Sequence, residues 1–117
     1  MSRDQRGVVT AELALGIPVL LSLTVGLVWL ITVGVAQVRM VDAARETARA
    51  AARGDSESAA VAEGQRVAGG GVVTISTAQG QVVATATNLV APPGGLLGFL
   101  PEVRVEAHAV TSAEVPR

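Results

Sequence analysis

The chain has 117 residues and a formal net charge of -1, and half of its residues are hydrophobic while only 2% are aromatic. One Phe, one Trp and no Tyr leave little with which to wall a cofactor or small-molecule pocket, and the near-neutral charge gives no basis for a nucleic-acid footprint. There is no cysteine, so disulfides and thiolate metal sites are excluded.

Residues 1–7 (MSRDQRG) form a polar leader, too short and too polar to be expected as a structural element. From Leu13 to Val38 no charged residue occurs and Gln37 is the only strongly polar side chain. The run exceeds the roughly 20 residues that a helix needs to cross a bilayer. At its edge stands Glu12, a carboxylate whose insertion in hydrocarbon costs about 2.5–3.5 kcal/mol unless it is paired or near headgroups. Pro18 lies inside the run and is expected to kink the helix, because it removes the hydrogen bond to the Ala14 carbonyl.

Nothing breaks the helix before Gly54. Arg39, Asp42, Arg45, Glu46, Arg49 and Arg53 fall within one stripe about 120° wide, leaving Met40, Val41, Ala43, Ala44, Thr47 and Ala48 on the other side. A small apolar face of this kind suits close packing against a sheet or another helix. Asp42 with Arg45, and Glu46 with Arg49, are spaced to pair for a few tenths of a kcal/mol each, about 0.2–0.5. A helix from about Val9 to Arg53 is roughly 65–70 Å long, about twice the bilayer, so its outer half projects as a stem.

Gly54 is a natural C-cap, and Asp55 or Ser56 caps a second helix running to about Ala68 with Gly64 inside it at a cost of about 1 kcal/mol. Gly69-Gly70-Gly71 marks a flexible connection. Val72–Ala78 and Val82–Asn88 flank Gln79-Gly80-Gln81 as a hairpin, with Val73, Ile75 and Val83 expected inward. Leu89 to Pro101 reads as a loop carrying Leu96, Leu97, Phe99 and Leu100. These four either fold back to complete a small core, the favoured expectation, or form a contact patch for another subunit or the membrane surface. Glu102 to Val110 alternates as a third strand with Val103, Val105, Ala107 and Ala109 on one face, and residues from Ser112 onward are expected to fray.

The fold class expected is therefore α+β: a long membrane-spanning helix (8–38), an amphipathic stem (39–53), and a small domain (54–117) of one short helix and a three-stranded antiparallel sheet. No nucleophile with a base, carboxylate pair in a cleft or metal constellation can be assembled, so no enzyme is expected. His108, with Glu102 and Glu106 nearby, reads as a surface histidine. No cofactor, nucleic acid or small-molecule substrate is expected.

Gly7-Val8-Val9-Thr10-Ala11-Glu12 resembles the processing site of type IV prepilins. Ala11-Glu12-Leu13-Ala14-Leu15, followed by Pro18 and a leucine-rich stretch, resembles the start of TadE-like minor pilins, and Asp42 to Gly54 resembles the Ala/Arg-rich segment after their membrane helix. The resemblance implies cleavage between Gly7 and Val8 by a prepilin peptidase and a role for Glu12 in processing or assembly. It further implies a minor pilin or pseudopilin of a tight-adherence (Flp-type) pilus, with other pilins and the assembly platform as partners. The protein would sit in the cytoplasmic membrane with its N-terminus cytoplasmic before processing and its C-terminal domain outside. Arginine counts run against that orientation, since Arg39, Arg45, Arg49 and Arg53 lie beyond the span and only Arg3 and Arg6 before it. Two alternatives are a single-pass accessory of another envelope machine, which predicts no cleavage after Gly7, and a secreted binding domain cleaved near Ala36, which predicts a chain beginning near Gln37.

Overall fold

The computed structural model describes residues 3–112, apart from the side chain of Leu96. The elements are α1 (Arg3–Ala52), α2 (Glu57–Ala68), β1 (Val72–Ala78), β2 (Gln81–Val90), a 3₁₀ turn (Gly95–Leu97) and β3 (Val103–Ser112). The fold is α+β, as the patterning implies, with a three-stranded antiparallel sheet in the order β1-β2-β3. Ser112 belongs to β3, and the expected fraying of the residues after it falls outside the described residues.

α1 is a single 50-residue helix, and the whole molecule extends over 88 Å. Its beginning departs from expectation. Arg3 to Gly7 are already helical and continue into the apolar run, because Asp4 in the first turn complements the helix dipole and nothing before Pro18 interrupts the backbone ladder. The helix also runs through Pro18 without a break. It closes at Gly54, whose φ of 91° lets the Gly54 and Asp55 amides reach back to the Ala51 and Ala50 carbonyls at 3.1 and 3.2 Å.

The two faces of the stem divide as the periodicity requires. Met40, Ala43, Ala44, Thr47, Ala48 and Ala50 are buried, while Arg39, Asp42, Arg45, Arg49 and Arg53 are exposed. Glu46 pairs with Arg49 at 3.3 Å and lies 3.9 Å from Arg53, whereas Asp42 and Arg45 form no ion pair among the described residues. Both Glu46 contacts involve exposed arginines, so their contribution is small.

The buried face meets α2 on one side and the sheet on the other. The core joins Met40, Ala43 and Ala44 to Ala68, Val73, Ala86, Val90, Val105 and Ala107, and Trp29, Val33 and Ala36 of the apolar run pack against its edge. Alanine facing alanine lets backbones approach closely but removes little apolar surface per residue. The small domain therefore depends on several turns of α1 and shares its core with the helix it stands on.

α2 starts where Ser56 accepts a hydrogen bond from the Ala59 amide at 3.2 Å, and ends at Gly69 with φ 69°. The glycine run after it is a braced turn and not a flexible connection. Gln65 donates through Nε2 to the Gly71 carbonyl at 3.2 Å and accepts from the Val73 amide at 2.7 Å, tying the end of α2 to the start of β1.

The hairpin corrects one expectation about facing. Gln79 (φ 54°) and Gly80 (φ 76°) make a two-residue turn with both central residues left-handed, so Ala78 pairs with Gln81 and Gln81 joins the strand. Val73 is then opposite Ala86, Ile75 opposite Ala84 and Thr77 opposite Val82, and the buried residues of β2 are Val82, Ala84 and Ala86. Val83 pairs with Ser76 on the other side. Counting Gln81 as loop shifts the parity by one residue, and one residue reverses every side chain in a strand. β3 behaves as expected, with Val105 and Ala107 buried and Val103 and Ala109 half-buried.

Candidate membrane and assembly helix

From Arg3 to Arg39 no residue of α1 is fully buried, and Leu15, Val19, Leu20 and Ile31 are each at least 63% exposed. This stretch is long and apolar enough to cross a membrane. Its polar side chains are quenched locally. Thr10, Ser22, Thr24 and Thr32 donate to the carbonyls of Arg6, Pro18, Leu20 and Val28 at 2.8–2.9 Å, so no hydroxyl in the span needs a water partner. Gln37 reaches across to β3, where its Nε2 donates to the Glu106 carbonyl at 3.0 Å. The only strongly polar side chain of the run thus binds the helix to the sheet, a partner no local pattern reveals.

At the N-terminal end, Asp4, Gln5, Val8, Val9 and Glu12 line one shallow concavity. Glu12 is exposed and forms no ion pair among the described residues, and Val8 is 58% exposed. Val8 and Glu12 are four apart and share a face of the helix. Gly7 is exposed, and a Cβ added there meets nothing within 4 Å. Its lack of a side chain therefore has no packing reason inside this chain.

The loop between β2 and β3 does not complete the core. Phe99 is 79% exposed, Leu97 and Leu100 are half-buried, and none of the three joins the core cluster. The shared core is closed instead by Trp29, Val33 and Ala36 of α1. The loop runs back along the helix: Leu97 Cδ1 lies 3.7 Å from where a Cβ on Gly26 would stand, and Gly94 and Leu97 border a cleft with Pro18, Leu21, Ser22 and Val25. The indole N–H of Trp29, nearby on the helix, is buried and finds no acceptor among the described residues.

On the outer face of the sheet Glu106 lies 3.0 Å from His108 Nε2 and 3.2 Å from Arg104, and His108 Nδ1 is 3.0 Å from Thr85 Oγ1. The side chains of Arg104, Glu106 and His108 are open to solvent to a third or more. Glu102 is exposed and outside this group. No cluster of three or more metal-ligating side chains occurs among the described residues.

No curated protein and no solved structure matches the chain. A family model does, over the apolar run and most of the stem and not over the sheet. The model described as TadE-like protein matches residues 7–49, from Gly7 to Arg49 of the long helix.

Proposed function

We propose that this chain is a minor pilin or pseudopilin of a tight-adherence (Flp-type) pilus, and that its role is structural and not catalytic. The observation that carries the reading is the placement of the TadE-like match on one unbroken helix whose first half is exposed and apolar and whose second half bears the folded domain. A pilus-associated, single-pass membrane protein accounts for both halves.

In this reading a prepilin peptidase cuts after Gly7 and leaves Val8 as the N-terminus. Removing the polar leader makes the apolar face of α1 continuous to its end. The new α-amino group and the Glu12 carboxylate then lie on one stripe of the helix. Pairing of Glu12 with the amino group of a neighbouring subunit sets the register between helices, since an uncompensated charge in low dielectric is costly. The folded domain presents its surface to other pilus components on the extracytoplasmic side.

The packing weighs against release of a soluble domain by cleavage near Ala36. Such a cut would strip Trp29, Val33 and Ala36 from the edge of the core. The test is the intact mass of protein recovered from its native host. We expect a chain beginning at Val8, and conversion of Gly7 to Ala should abolish processing, a clean substitution because a methyl group there meets nothing. Full-length chain in a host with a working prepilin peptidase overturns the reading, as does a chain beginning near Gln37.

A further inference from the structure

The β2–β3 loop combines a composition and a position that belong together. Every side chain from Leu89 to Pro101 is apolar or absent, and the first charged groups beyond it are Glu102 and Arg104. Leu89, at the end of β2, is 58% exposed, and Phe99, within the loop, is 79% exposed. Yet the loop does not stand away from the molecule. It descends beside α1 to the level of Gly26 and Leu21, within the charge-free run.

The sheet domain's core reaches down α1 as far as Trp29, so Trp29 marks the depth at which the folded domain begins. Gly26 and Leu21 lie three and eight residues nearer the N-terminus, which at 1.5 Å per residue places Leu97 about 5–12 Å on the hydrocarbon side of Trp29. Interfacial segments bury their apolar faces to a comparable depth, about 5–10 Å. The span from Leu13 to Thr32 already covers a hydrocarbon core of about 30 Å, so the loop shares the layer occupied by the helix surface it touches.

Backbone polarity is the usual obstacle to placing a loop there. This loop reduces it. Pro92, Pro93 and Pro101 carry no N–H, and the amides of Gly98 and Leu100 donate to the Gly95 and Leu97 carbonyls at 3.1 Å each. One flank is covered by α1 around Gly26.

We propose that residues 91–101 insert into the bilayer leaflet facing the sheet domain, so that this chain holds the lipid with its helix and, beside it, with a second apolar wedge centred on Phe99. The wedge fixes the height and tilt of the domain over the membrane. This inference rests on the single-pass reading of α1, and the test separates the two.

The chain lacks cysteine, so the full chain carrying Phe99→Cys, Leu23→Cys or Thr77→Cys can be labelled with an environment-sensitive fluorophore and reconstituted in phosphatidylcholine vesicles. All three positions are exposed, and Thr77 lies near the hairpin turn at the other end of the sheet. Lipids brominated along their acyl chains should quench the Phe99 label about as well as the Leu23 label. Aqueous iodide should quench it several-fold less than the Thr77 label. Iodide quenching equal to that at Thr77, with Leu23 still quenched by lipid, overturns the wedge and leaves the span. Shielding of Phe99 from both quenchers assigns the loop to a contact with another protein copy and also overturns it. Failure of the Leu23 label to sense brominated lipid removes the spanning helix and the wedge together.

Discussion

Gly64, in the middle of α2, should resist replacement by alanine even though helix propensity favours the change. An alanine in a helix interior is worth about 0.8–1.0 kcal/mol over glycine. Here the added Cβ would overlap Thr47 Oγ1, with Val73 Cγ1 at 3.0 Å and Thr47 Cβ at 3.2 Å. Thr47 is fully buried, and its hydroxyl donates to the Ala43 carbonyl at 2.8 Å. The side chain can yield only by leaving that bond or by pushing α2 off the stem. Overpacking a closed core costs about 1–3 kcal/mol, and a buried hydroxyl without a partner about 1–3 more. Against the propensity gain of about 1 kcal/mol, the net loss is about 1–5 kcal/mol, with about 3 as the central value. For a domain of this size a loss of about 3 kcal/mol lowers the melting temperature by about 12–24 °C. The chain's single tryptophan, Trp29, packs on the edge of the core, so its emission in detergent-solubilised protein reports the unfolding. Thr47→Ala in the same chain should recover about 1 kcal/mol or more of the Gly64→Ala loss as a coupling energy between touching residues. A Gly64→Ala protein as stable as the parent, or a double variant whose losses simply add, would refute the close α1–α2 contact.

Glu12→Gln keeps the length and shape of an exposed side chain and removes its charge, so insertion and cleavage after Gly7 should persist while association with other pilins weakens. Pilus counts and co-purification in a complemented deletion strain measure this, and wild-type assembly would remove the pairing role. Ala48→Pro places a ring in the buried face of the stem and breaks the bond to the Ala44 carbonyl, at a cost of about 3 kcal/mol or more. Trypsin should then cut at Arg49, Arg53 and Arg66 much faster than in the parent, and an unchanged cleavage rate would argue against a continuous stem supporting the sheet.

Local chemistry was enough to determine the long helix beyond its leader, its charge-free and amphipathic halves, the C-cap at Gly54, an N-cap at Asp55 or Ser56, and the facing of β3. Each depends on residues a few positions apart, so period and composition carry it. The Gly7–Glu12 motif was legible for the same reason, and it places the candidate processing and assembly residues together on one end of α1. The tertiary structure decided what depends on distant partners. The facing of β2 turned on whether Gln81 belongs to the turn or to the strand, and the left-handed pair Gln79-Gly80 settles that parity. Gln65 and Gln37 are ordinary polar residues in the sequence, and only the folded chain brings them to Gly71, Val73 and Glu106. Gly64 looked like a helix-weakening residue until Thr47 was set against it. The apolar loop after β2 was visible as an anomaly of composition. Its destination was not, because whether such a loop fills a core depends on how much apolar surface the rest of the chain leaves uncovered, and here Trp29, Val33 and Ala36 of α1 had already covered it.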